Sequence, residues 1–187
     1  MNADGDGIAD RVATYTNTSG SYLQLVLDDR AAVSVQLSEA DVIRVSAIGG
    51  YDVDGDGRDE IFAVTGNGAY TIWIDVFEFD ASACALVRLA APGSVRPQFA
   101  AGASVGNGAG LECADGKLIS THYSATTLEK APGRYRGRRT SYAIVGTHLE
   151  VASETDIEFG LDDPSARLMA SFKCGDLPLI RKVTERS

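Results

Sequence analysis

Nine consecutive residues, Asp52-Val53-Asp54-Gly55-Asp56-Gly57-Arg58-Asp59-Glu60, carry five carboxylates and two glycines. Counting Asp52 as position 1, carboxylates fall at positions 1, 3, 5 and 9, the Arg58 carbonyl stands at position 7, and Gly57 sits at position 6. Hard oxygen ligands in a tight, flexible loop are the chemistry of Ca²⁺. Mg²⁺ suits the loop less, since it demands near-octahedral geometry and keeps its waters, whereas this loop offers about six oxygens of its own. A solvated acidic turn of the Asp-Gly kind would have to hold five acids together with no cation. The helical EF-hand loop shares the early spacing and the glycine but needs a bidentate Glu at position 12, where this chain has Ala63. The residues that follow, Ile61-Phe62-Ala63-Val64 before Gly66, form a short apolar run typical of a buried strand, not an exiting helix.

The loop recurs. Asn2-Ala3-Asp4-Gly5-Asp6-Gly7-Ile8-Ala9-Asp10 places oxygen side chains of Asn2, Asp4, Asp6 and Asp10 at the same positions, with the Ile8 carbonyl at position 7, fifty residues upstream. It too precedes a short β-prone run, Arg11 to Tyr15. Two loops in one register and one strand context make a repeat, and periods of about 20 to 50 residues announce propellers, solenoids or arrays.

These residues resemble the FG-GAP or VCBS repeat family, best known from the seven-bladed propeller heads of integrin α subunits. In that family a small-residue strand leads into a DxDGDGxxD-type calcium loop and then a short apolar strand. Here Val45-Ser46-Ala47-Ile48-Gly49-Gly50-Tyr51 leads into Asp52 to Glu60 and on to Ile61 to Val64. The chain departs from the pattern at Glu60, where the family has Asp, and at Asn2. The resemblance implies an all-β, β-propeller-like fold of about three antiparallel sheet repeats, partial or open, with bound Ca²⁺ as its cofactor.

On that register the 187-residue chain reads as a single β-repeat domain. Repeat one covers about residues 2–40, repeat two 41–92, repeat three 98–166, a partial fourth unit 167–177 and a tail 178–187. In repeat one the strands fall near Asp10 to Thr16, Tyr22 to Leu27 and Val33 to Leu37, with a turn at Asn17-Thr18-Ser19-Gly20. Repeat two copies the order with Glu60 to Thr65, Tyr70 to Phe79 and Ala85 to Leu89. Alternation within Thr71 to Phe79 puts Ile72, Ile74, Val76 and Glu78 on one face and Trp73, Asp75, Phe77 and Phe79 on the other. Both faces are expected to be covered, and Trp73 is expected in the core. Repeat three has strands from Lys117, Tyr135 and His148, but its loop is decayed: Leu111, Cys113, Asp115 and Ile119 stand where Asp52, Asp54, Asp56 and Glu60 stood. No metal is expected there. A strand from about Leu168 to Lys173 is equivalent to the one missing before Asn2, so the C-terminus is expected beside the first loop.

Catalytic signatures are absent. His122 and His148 lie in expected strands without HExxH or CxxC spacing, no GxSxG elbow or nucleotide loop occurs, and paired carboxylates exist only inside the metal loops. Arg134, Arg136 and Arg138 alternate along one strand face, with Lys130 and Arg139 nearby. Such guanidinium forks suit sulfate, phosphate or carboxylate, although charge guarding a strand edge explains them equally; they are the one possible ligand surface.

Composition is that of a globular chain, with 44% hydrophobic and 23% charged residues. Of its 26 acids, eight sit in the two loops, and two bound Ca²⁺ would bring the formal charge from −9 to −5. The acidity is therefore local and speaks against nucleic acid as a partner. No apolar run approaches a membrane span. No signal peptide precedes Asn2, and the first loop lacks a feeding strand, which leads us to expect residues upstream of Met1. Millimolar extracellular calcium and the cysteines favour an extracellular or cell-surface location.

Of three cysteines at most two pair within the chain. In the repeat register Cys84 corresponds to Thr147 and Cys113 to Cys174. Cys84 and Cys113 then face the same end of adjacent blades and are expected to form the disulfide, with Cys174 free or bonded elsewhere. The expected function is a non-catalytic, calcium-stabilised adhesion or binding scaffold for a protein or polysaccharide partner. The alternative is an accessory domain of a secreted polysaccharide-active lyase or hydrolase, since similar repeats are attached to such enzymes.

Overall fold

A computed structural model of the chain describes residues 1–28, 31–38, 45–91, 99–104, 106–126, 133–160 and 162–178. The expected boundaries near residues 40, 41, 92 and 98, together with Lys130 and nearly all of the tail, lie outside the described residues.

The all-β expectation is met. Strands β1 (Arg11–Asn17), β2 (Gly20–Val26) and β3 (Ala32–Ser38) form an antiparallel meander directly after the first loop. A second meander comprises β4 (Ser46–Tyr51), the second loop, β5 (Glu60–Asn67), β6 (Ile72–Asp80) and β7 (Ala85–Arg88). A third comprises β9 (Asn107–Ala114), β10 (Lys117–Ala125), β11 (Arg134–Val145) and β12 (His148–Gly160). Strand β8 (Phe99–Ala103) pairs with both β6 and β9, so the second and third meanders share one ladder in the order β12-β11-β10-β9-β8-β6-β5-β4. The first meander is a separate sheet, and neither sheet closes on itself.

The middle meander is covered on both faces. Ile61, Ala63, Phe77 and Phe79 pack with Leu23, Leu25, Leu27 and Leu37 of the first meander. Phe62, Val64, Ile72, Ile74 and Val76 pack on the opposite side with Leu111, Leu118, Leu149 and Phe172. This explains why β5 is a continuous apolar run while half-buried β1 alternates. Phe62 and Phe77 are fully buried, and truncating either to Ala costs about 3–5 kcal/mol.

In the third meander the acidic loop is replaced by a two-residue hairpin. Ala114 pairs with Lys117 across Asp115 and Gly116, both at positive φ (53° and 70°), the geometry that a tight hairpin requires. Leu111 and Ile119, standing where ligands stood, are buried. Beyond this core, Tyr123, Tyr135 and Phe159 form an aromatic cluster with centroids 5.0 to 5.2 Å apart, capped by α1 (Ser165–Met169). The Tyr123 hydroxyl donates to the Ala166 carbonyl at 2.8 Å.

Three expectations are overturned. The segment from Leu168 to Lys173 is not one strand beside the first loop: its start belongs to α1, and only β13 (Phe172–Lys173) is extended, pairing parallel with β9. The expected Cys84–Cys113 disulfide is replaced by Cys113–Cys174, with Cα atoms 4.6 Å apart, while Cys84 is free and exposed. The register accounts for it: Phe172 opposes Leu111 and Lys173 opposes Glu112, so the next step brings Cys174 beside its own repeat equivalent. Phe172–Lys173 is thus a short strand added beside β9 of the larger sheet, and Cys84 stays in the β6–β7 turn. Finally, Trp73 does not enter the core; it is 36% exposed, on the wide rim where β6 leaves the covered layer.

Candidate metal centre

Both loops have one conformation, built from the same bonds. The N–H of position 6 donates to the side chain of position 1, Gly7 to Asn2 and Gly57 to Asp52, each at 3.1 Å. Position 5 donates to position 3, Asp6 to Asp4 at 3.1 Å and Asp56 to Asp54 at 3.2 Å. Position 7 donates to position 5, Ile8 to Asp6 at 2.7 Å and Arg58 to Asp56 at 2.8 Å. Position 2 donates to position 9, Ala3 to Asp10 at 2.7 Å and Val53 to Glu60 at 2.8 Å. Glycines at positions 4 and 6 take φ of 80° to 90°, a region open to glycine at little cost. The side chains at positions 1, 3 and 5 thereby bond the backbone two or more residues on, and the side chain at position 9 reaches back to position 2.

In the second loop, Asp52, Asp54 and Glu60 each place a carboxylate oxygen within 4.8 Å of the others, suiting a metal ion. Glu60 is buried, and its pKa is pushed up to about 8, first by burial and then by Asp54 and Glu78, against the Val53 N–H that favours its charge. Asp10 in the first loop is also raised, chiefly by burial, with Asp4 and Asp6 adding to it. One of its oxygens accepts from Ala3, while the other, Oδ1, is buried with no hydrogen-bond partner. A divalent ion would supply the countercharge that both carboxylates lack. The donor set, all oxygen and rich in carboxylate, fits Ca²⁺.

Asp56 is placed differently from its neighbours. Its Oδ2 accepts from Arg58 Nε at 2.9 Å and Nη2 at 2.5 Å. Burial pushes its pKa up, but the bonds from Arg58 outweigh that and hold it low. Arg58 also reaches Glu78 Oε1 on β6 at 3.2 Å. The sequence pointed to the carbonyl of Arg58 and missed its side chain, which ties the second loop to the sheet.

The arginine strip is where the sequence put it, exposed along β11, but it is matched by acids across the ladder. Arg134 and Arg136 both meet Glu158, and Arg138 meets Asp156 at 3.1 Å and Glu154 at 3.4 Å. His122 lies in β10 and His148 in β12. Among the described residues neither joins a cluster of three or more ligating side chains; His148 sits 3.4 Å from Glu150, and His122 Nε2 is 3.0 Å from Ser120 Oγ. No helix among the described residues is long and apolar enough to cross a membrane. No protein-family model, curated protein or solved structure matches this chain.

Proposed function

We propose that the chain is an exported, calcium-stabilised, non-catalytic repeat module of the FG-GAP or VCBS type, acting as a binding scaffold for a protein or polysaccharide partner. The observation that carries it is the repeated loop: two segments fifty residues apart adopt the same bond pattern, and in the second of them Asp52, Asp54 and Glu60 converge while the one cation within the loop, Arg58, is engaged by Asp56. The face-to-face stacking of three meanders through two cores supports propeller-like packing, and the Cys113–Cys174 disulfide supports an oxidising compartment.

Each loop holds one Ca²⁺ through its side chains at positions 1, 3, 5 and 9 and the carbonyl at 7, with Asp56 entering the second set once released from Arg58. Calcium binding to the folded state alone stabilises it by RT ln(1 + [L]/Kd), about 2.7 kcal/mol per site at a hundredfold excess over Kd. The test is thermal melting with Ca²⁺ and with chelator. A rise in Tm with calcium, reduced by Asp54→Ala and by Asp4→Ala, is expected; equal melting under both conditions would remove the calcium half of the proposal.

A further inference from the structure

Away from both loops, an open cleft of about 900 Å³ lies between the β5–β6 turn and the outer face of the third meander. Its floor is built from two cross-strand rows. Ala109, His122, Arg138 and Asp156 form one, and Asn107, Ser124, Arg136 and Glu158 form the next. In both rows each guanidinium faces a carboxylate on β12, so the floor is rich in donors and acceptors but carries little net charge. His122 is exposed to the cleft, with its Nε2 3.0 Å from Ser120 Oγ, and an imidazole there offers its other ring nitrogen to a ligand.

The wall is aromatic. Trp73 is 36% and Tyr70 44% exposed, both lining the cleft. The indole is seated on backbone: a Cβ added at Gly66 would lie 2.9 Å from its Cε3, and one at Gly68 3.1 Å from its Cη2. The glycines thus hold one side of the ring against the chain and leave it fixed. An apolar ring held in water beside a polar, charge-balanced floor has unused contact area, and its energetics favour a ligand with one apolar face and one hydroxylated edge.

We propose that this cleft binds a short stretch of neutral oligosaccharide, with a pyranose C–H face stacked on Trp73, a neighbouring sugar against Tyr70, and hydroxyls bonded by Asn107, His122 and the Arg138–Asp156 pair. The ion pairs select for neutral sugars, because an acidic one would have to displace Asp156 or Glu158 from its arginine. The volume lies within the range of about 300–1,000 Å³ usual for ligand sites. The proposal supplies a chemical identity for the polysaccharide partner in the reading above and is independent of its calcium half.

Trp73 is the sole tryptophan of the chain, so its fluorescence reads the site directly. The full chain, kept in Ca²⁺, is titrated with neutral trisaccharides of β-1,4-glucose, β-1,4-xylose, β-1,3-glucose and α-1,4-glucose, and with trigalacturonate. At least one neutral trisaccharide is expected to shift the emission saturably and to cut iodide quenching at least twofold. Calorimetry should then show that affinity falls at least tenfold in Trp73→Ala and is largely restored in Trp73→Phe, with cooperative unfolding retained in both. The proposal is overturned if no neutral trisaccharide acts up to about 10 mM, well past the weakest useful affinities. It is equally overturned if Trp73→Ala binds like the parent, or if only trigalacturonate binds and salt abolishes it. Loss of calcium-dependent melting with sugar binding intact would instead strike the calcium reading alone.

Discussion

Asn2 docks the first loop onto the second: its side-chain amide donates to the Gly57 carbonyl at 2.8 Å, and its backbone N–H donates to Asp59 Oδ2 at 2.6 Å. In return the Asp59 N–H donates to the Asn2 carbonyl at 2.8 Å. Position 1 of one loop thus touches positions 6 and 8 of the other. Asn2 accepts Gly7 N–H through its carbonyl oxygen while its amide nitrogen crosses to the neighbour, which a carboxylate, having no donor, cannot do. The departure from Asp at this position is thereby explained.

Replacing Asn2 by Asp is expected to weaken this docking while keeping a ligand oxygen. Loss of one cross-loop bond, with two acceptors brought together, costs about 1–2 kcal/mol, or a fall in Tm of about 3–6 °C for a chain of this size. Saturating Ca²⁺ should recover part of the loss, since the new carboxylate adds charge to the first site. Melting of the variant with and without calcium checks both.

The disulfide makes a second prediction. Peptide mapping without reduction should recover Cys113 linked to Cys174, and Cys84 should be alkylated in the native protein. The bridge spans a separation of 61 residues, for which the chain-entropy model gives about 4 kcal/mol. Cys113→Ser with Cys174→Ser should lower the unfolding free energy by up to that amount, whereas Cys84→Ser should leave it nearly unmoved.

Asp75, fully buried on β6, provides a pH test remote from the loops. Burial raises its pKa to about 6, an effect that Arg88, 3.1 Å away, offsets only in part. Since the folded-state value lies above the ordinary 3.8, the fold binds this proton more tightly than the unfolded chain. Its contribution to stability is most favourable below pH 4 and is lost as pH rises through about 6. About two pKa units correspond to roughly 3 kcal/mol. Denaturant unfolding of the parent and of Asp75→Asn should diverge across that window and run parallel above it.

Much of this was legible in the residues. The shared conformation of the two acidic loops was visible because their turns fix the positions of glycine and of the short side chains that bond the backbone, and the strands because their alternation follows from which faces are covered. Repeat logic failed where it met the chain's end: it identified Cys113 and Cys174 as equivalents, yet equivalence says nothing of partnership, and a two-residue parallel pairing made them neighbours. Trp73 misled for a related reason. Its place in the alternation of β6 was right, but the cover on that face stops between Asp75 and Trp73, and extent of cover is a tertiary property. The neutralisation of Arg134, Arg136 and Arg138 likewise depends on the β11–β12 register, which places Glu158 opposite Arg136 and Asp156 opposite Arg138, leaving Arg134 to reach Glu158 diagonally.

The central claim is that the two loops are a pair of calcium sites, and titration calorimetry on chelator-stripped protein tests it most directly. Two Ca²⁺ per chain are expected, with one lost in Asp54→Ala, one in Asp4→Ala, and both in the double variant. No calcium uptake by the folded parent, or two ions retained when both loops are disabled, would contradict it.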